Sequence, residues 1–106
     1  KNIMKVIIES PYAGDIETHT KYAIECMKDC FERGEYPFAS HLLYTMALND
    51  NNPEGRELGI NAGLEWGKCA EKTVVYTDFG ISKGMELGIK NALDNNRIVE
   101  YREILK

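Results

Sequence analysis

The sequence predicts an α/β domain built on a small parallel sheet, Rossmann-like or flavodoxin-like in architecture. Three observations carry that expectation. Short apolar runs rich in valine and isoleucine, "VII" at 6–8 and "TVVY" at 73–76, have the length of buried strands and lie close to turn residues. Between such runs lie longer segments whose apolar residues recur at helical spacing. The two patterns alternate along the chain, which implies parallel strands joined by right-handed crossovers. The expected form is a three-layer sandwich with a four-stranded sheet of order about 2-1-3-4, in a single domain of 106 residues.

The elements follow in order. Ile3 to Glu9 reads as a buried strand that stops at Ser10-Pro11. From Asp15 to Arg33 the apolar positions Tyr22, Ala23, Cys26, Met27, Cys30 and Phe31 mark an amphipathic helix, with Gly34 as its stop. Tyr36 to Ser40 is a short second strand that tolerates Pro37. Leu42 to Asn52 reads as a loop ending in "NDNNP". Asn52 caps and Pro53 starts a second helix that runs to about Ala70. Lys72 to Tyr76 is the third strand, and "TDFGIS" is a loop. Ser82 caps a third helix that runs to about Asn95, and Ile98 to Ile104 closes the chain as a fourth strand.

Composition narrows the function classes. A content of 43% hydrophobic and 28% charged residues suits a soluble globular domain. A net charge of -4 argues against a DNA or RNA polymer as partner, which would want a basic face. It leaves room for a small anion, because backbone amides at a helix start bind one locally. The odd count of three cysteines, without a secretory segment, reads as a reduced cytoplasmic protein. With two histidines and no Cys-x-x-Cys, the cysteines read as apolar fillers and no metal or cofactor is expected. No apolar run reaches the length of a membrane span, and Met4 is a candidate native start.

In sheets of this kind ligands sit beyond the carboxyl ends of the strands, where the strand order switches. Three loops are expected to meet there. In "SPYAGD", Ser10, Pro11, Tyr12 and Gly14 precede a helix N-terminus, a geometry that suits a phosphate or a ribose. The same stretch also reads as a Pro-Tyr turn with Asp15 as cap, and its lone glycine is no dinucleotide fingerprint. In "SHLLYT", His41 is a ligand contact or a hydrogen-bonded structural histidine, and Tyr44 stacks on a base or covers the core. In "TDFGISKGMELG", Asp78 ends a strand and can grip ribose hydroxyls. Gly80, Ile81, Ser82, Gly84 and Met85 form a turn and helix start suited to a phosphate. A capped helix with packing glycines is the plainer alternative, but two glycines so near a helix start weaken it and favour the binding role.

The second helix carries Gly55, Gly59, Gly63 and Gly67, one every fourth residue, each costing up to ~1 kcal/mol relative to alanine. With Ile60 and Leu64 to one side of the stripe and Leu58, Ala62, Trp66 and Cys69 to the other, its apolar arc is too wide for one sheet face. The expectation is a homo-oligomer that packs through this helix. Glu57, in its first turn, is placed to act on a ligand; Glu65 and Lys68 read as a solvated face.

The strand followed by "SPYAGD", the "RELG" of the second helix and "DFGISKGMELG" together resemble the nucleoside 2-deoxyribosyltransferase-like superfamily, over nearly the whole chain. That resemblance implies nucleoside or nucleotide binding, oligomers whose pockets borrow residues from a neighbour, and deoxynucleotide N-glycosidases among the relatives. It also implies a catalytic glutamate at the third helical position after the cap, in a Gly-Thr-x-x-Glu pattern. Here that position is Met85, and Glu86 lies one residue further, about 100° round the helix. The resemblance to small phage-associated members implies a protein that sequesters a nucleotide immune signal of the ADP-ribose type. Ser10, Tyr12, Gly80, Ser82 and Gly84 would meet phosphate or ribose, Asp78 and Glu57 hydroxyls, and His41 and Tyr44 the base or a second phosphate. The alternative is an N-glycosidase or deoxyribosyltransferase with Glu86 or Glu57 as nucleophile and His41 or Asp78 as acid–base partner. A structural interaction module resting on the glycine stripe ranks last.

Overall fold

The computed structural model describes residues 3–105. Its strands are β1 (Lys5–Glu9), β2 (Tyr36–Phe38), β3 (Lys72–Tyr76) and β4 (Ile98–Arg102). Its helices are α1 (Ile16–Glu32), α2 (Ser40–Leu43), α3 (Pro53–Gly67) and α4 (Lys83–Asp94), with a 3₁₀ turn at Tyr44–Met46 after α2. The sheet has the order β2-β1-β3-β4 with every pair parallel, as the alternating pattern predicts.

Capping side chains start the three long helices. Asp15 accepts from the Thr18 N–H at 3.2 Å and from its hydroxyl at 2.8 Å. Asn52 accepts from the Glu54 and Gly55 amides ahead of α3, with Pro53 in the first turn, and Ser82 accepts from the Met85 amide ahead of α4. Gly34 follows α1 with φ +81°, a conformation that glycine adopts without strain.

One element departs from the sequence expectation. The segment from Leu42, read as loop, instead continues a short helix that begins at Ser40, so β2 ends at Phe38. The Leu42 and Leu43 amides turn back to the Ala39 carbonyl, and the Thr45 hydroxyl donates to the His41 carbonyl at 2.8 Å. Two such turns are too short to display a helical period.

The alternation of strand side chains sorts the molecule into layers. Val6, Ile8, Val74 and Tyr76 face α1 and pack with Tyr22, Cys26 and Cys30 in the main core. Each such fully buried side chain stabilises the fold by roughly 1.5–3 kcal/mol. Past the edge of α1, a polar network continues this layer. Arg102 forks onto Glu35 at 2.9 and 2.7 Å, reaches Glu100 at 2.6 Å and donates to the Tyr76 hydroxyl at 3.0 Å. Lys72 joins Glu35 and Glu100 at 3.3 and 2.9 Å. The opposite sheet face carries Ile7, Glu9, Thr73 and Val75, and α4 lies over it. Helix α3 packs mainly on α2 and α4, which leaves a space between its glycine edge and the sheet.

Candidate functional site

That space is a cavity of about 270 Å³ at the carboxyl end of β1, beside the point where the strand order switches between β1 and β3. It lies near the lower end of the ~300–1,000 Å³ range of small-molecule sites. Ile7, Ile60, Leu64, Met85 and Leu87 supply apolar wall, and the first turn of α4 and the loop after β1 form its rim.

The glycines of α3 let the neighbouring segments approach its backbone closely. A Cβ at Gly55 would stand 2.8 Å from the Asn49 carbonyl oxygen, and one at Gly63 would stand 2.5 Å from Ser40 Oγ. Gly59 faces Tyr44 and Leu48, and Gly67 faces Arg97. The stripe is therefore met by atoms of its own chain, chiefly from the 40–49 segment and Arg97. Leu58 and Trp66, on the outward side, are about 60% exposed, at 61% and 59%.

Seven of the residues singled out by sequence come together on the cavity wall: Ser10, Tyr12, His41, Tyr44, Ser82, Gly84 and Met85. Ser10, carried past the end of β1, is buried and hydrogen-bonded to His41 Nε2 at 2.8 Å. Burial pushes the His41 imidazole down to about 4, so it is neutral at physiological pH. Tyr12 meets His41 edge-on at 6.4 Å between ring centres, and Tyr44 meets Phe38 in the same way at 6.3 Å. His41 and Tyr44 are each anchored by these contacts, and each borders the cavity.

The others stand apart from it. Asp78 is turned toward α1, where its carboxylate accepts from the Tyr22 hydroxyl at 2.5 Å and from the Ile104 and Leu105 amides. Its oxygens are committed to tying down the segment after β4, which corrects its reading as a ribose ligand. Gly80 occupies an exposed turn with φ +84°, and Ile81 shares a shallow outer groove with Glu86, Ile89 and Leu93. Gly14 sits in the turn ahead of α1 with φ +93°, and Pro11 is buried behind the rim. Glu57 is exposed on α3 away from the cavity. Glu86 and Glu57, the two nucleophile candidates, are both outside the site.

The position that the resemblance assigns to a catalytic glutamate is filled by Met85, which is 1% exposed. Its sulfur accepts from the Ser82 amide at 3.4 Å while its own amide donates to Ser82 Oγ, so a thioether closes the capping box.

The sequence reading passed over Glu9. Its side chain shares the sheet face of Ile7 and lies against Gly88, where any added Cβ would overlap the carboxyl oxygens. Among the described residues it has no hydrogen bond or ion pair. Desolvation raises its pKa to about 8, with the Arg97 charge acting weakly in the other direction. The one other carboxyl on the wall, Asp50, is paired with Arg56 Nη1 at 3.2 Å. Arg97 donates from Nε to Thr73 Oγ1 at 2.9 Å, and Lys83 is exposed at the start of α4. A carboxylate ending an apolar strand, read together with glycines at both 84 and 88 on one helix, is the signal that could have found the site. Among the described residues no helix is long and apolar enough to cross a membrane, and none of their His, Cys, Asp and Glu side chains form a group of three able to hold a metal ion.

Comparison with known proteins adds to this geometry. A family model described as a domain of unknown function (DUF7768) matches residues 4–102. No curated protein sequence matches the chain. Among solved structures, a 2-deoxyribosyltransferase from Bacillus psychrosaccharolyticus, characterised as a biocatalyst for nucleoside synthesis, is similar with a TM-score of 0.66 at 16% identity. The match covers 96% of this chain and 77% of that one. At that identity the similarity establishes a shared α/β fold with a four-stranded parallel sheet.

Proposed function

The chain belongs to the DUF7768 family, and we propose that it binds a nucleoside- or nucleotide-type ligand in this cavity and holds it without cleaving it. One observation carries the reading: an apolar cavity at the switch point, with a helix N-terminus on its rim and an unpartnered carboxyl inside. The deoxyribosyltransferase-like fold raises the prior for a ribose-containing ligand, as an analogy. At the rim, the free amides of Lys83 and Gly84 and the cations of Lys83 and Arg56 suit a phosphate.

Cleavage is disfavoured because a nucleophile must stand within roughly 3–3.5 Å of the reacting carbon. Glu86 and Glu57 both lie outside the cavity, and Met85 fills the position that the resemblance gives to a glutamate. Holding without turnover suits a protein that sequesters a nucleotide signal, the role implied by the resemblance to small phage-associated members. Self-association through α3 belongs to the same reading, with Leu58 and Trp66 as the outward contact. A monomer in light scattering at micromolar concentration removes that part.

The test is to incubate the protein with nucleotides and cyclic ADP-ribose isomers, remove unbound ligand, and recover the rest by heat denaturation. Intact ligand is the expected result. Free base with sugar phosphate would establish the glycosidase instead, and no recovered ligand would refute binding.

A further inference from the structure

Resting on the reading of the cavity as a nucleotide site, we infer that Glu9 is its specificity residue: its carboxyl group pairs with the donor–acceptor edge of a nucleobase inserted base-first beneath α3.

The argument begins with what lies around the group. Glu9 is the last residue of β1 and enters the cavity on the same face as Ile7. It fits only because Gly88 has no side chain, and it has no protein partner among the described residues. Glu9 is half-buried and lines the cavity, and no protein group bonds its carboxyl, so an occupant of the cavity can supply those hydrogen bonds. The charged and titratable groups on the neighbouring elements do not relieve it. His41 on α2 is occupied by Ser10, and Asp50 and Arg56 are paired with each other at the mouth. Lys83 is exposed at the rim, and Arg97 is bonded through Nε to Thr73 and forms no ion pair with Glu9. The phenols of Tyr12 and Tyr44 also border the cavity without a bond to it.

The chemistry of the occupant follows. A protonated carboxyl offers one O–H donor beside one carbonyl acceptor. Its natural counterpart is a planar group with an acceptor beside a donor, such as the amide or amidine edge of a heterocyclic base. The side chains of Ile7, Ile60 and Leu64 offer a sugar's hydroxyls no bond, whereas a flat ring suits those walls. Depth fixes the orientation. Gly88 lies four residues beyond Gly84 on α4, so Glu9 sits about 6 Å deeper than the helix start. The base therefore lies inside and the phosphate at the rim.

Titration calorimetry tests this with wild type, Glu9→Gln and Glu9→Ala. The ligands are adenosine, guanosine, cytidine, uridine, their 5′-monophosphates and ribose 5-phosphate, each at pH 6 and pH 9. A bound nucleoside is expected to lose at least tenfold in affinity in Glu9→Ala, and ribose 5-phosphate less than twofold. Glu9→Gln, whose carboxamide keeps one donor and one acceptor, is expected to stay within about threefold of wild type at pH 6 and to lose the fall in affinity between pH 6 and pH 9. Nucleoside binding unchanged in Glu9→Ala would overturn the role of Glu9 while leaving the nucleotide site standing. Binding of none of these ligands to wild type would overturn the site itself. Circular dichroism of each variant separates lost binding from lost fold.

Discussion

Replacing Glu9 by glutamine should make the protein more stable, and increasingly so as the pH rises. In the folded chain desolvation pushes the carboxyl up to about 8, against 4.5 for an unhindered glutamate. Below pH 4.5 both folded and unfolded chains carry the proton, and nothing is lost. Between the two values the unfolded chain has ionised and the folded chain has not, so stability falls by about 1.4 kcal/mol per pH unit. Above pH 8 the loss is constant, at an upper bound of ~5 kcal/mol. Between pH 5 and pH 9 this single group removes about 4 kcal/mol from wild type and nothing from Glu9→Gln, whose carboxamide does not ionise. Urea unfolding of both proteins at pH 5, 7 and 9 measures the difference, and the remaining titrating groups cancel in it. The stability gap should widen with pH by several kcal/mol. A gap that stays constant within about 0.5 kcal/mol, the usual range for a surface substitution, would refute the raised titration of Glu9.

Three other outcomes follow from the same contacts. Gly88→Ala should keep the fold, because the flexible Glu9 carboxyl can swing out of the notch and alanine favours a helix by up to ~1 kcal/mol; the Glu9 titration should then return toward its ordinary range by carboxyl-resolved NMR. Asp78→Ala should destabilise the fold by ~1–3 kcal/mol and speed hydrogen exchange at the Ile104 and Leu105 amides, with ligand retention unchanged. Arg102→Ala should cost ~3–5 kcal/mol in denaturant unfolding, because it strips the buried Glu35 carboxylate of its two-pronged partner.

The sheet order, the four strands and the three long helices were legible because each had a period, a cap or a stop that acts locally. Asp15, Asn52 and Ser82 announce helices from the sequence alone. Helix α2 was not legible, since four residues display no period. Missing α2 also hid the partner of the glycine stripe: Ser40 and Tyr44 fill two of its positions, so a face that looked unpartnered was already covered. Asp78 was misplaced for a reason the sequence does contain. It shares the alternation of Val74 and Tyr76, both of which face α1, and a strand continued two residues further points the same way. Glu9 escaped notice because its meaning depends on Gly88, 79 residues further along the chain, and on the loss of water that this packing imposes.

The location and ionisation of the carboxyl groups argue for retention over turnover. The family resemblance would put an ionised glutamate in the first turn of α4, beside the rim. In this chain a buried thioether holds that turn, Glu86 points to the outer groove, and the cavity's unpartnered acid sits a helical turn deeper on β1. An acid that titrates near 8 is mostly protonated at neutral pH, where it donates a hydrogen bond and is a poor nucleophile. The two activities therefore call for opposite states of one group: pairing with a base needs the proton, and attack on a sugar carbon needs its loss. Raising the pH through 8 should weaken nucleoside binding, by about tenfold per unit once the acid ionises. Cleavage by Glu9 itself would have to rise over that same range. Assay of free base at pH 6.5 and pH 9 separates the two: product that grows as binding falls would make Glu9 a nucleophile, and absence of product at both values leaves it as the group that reads the base.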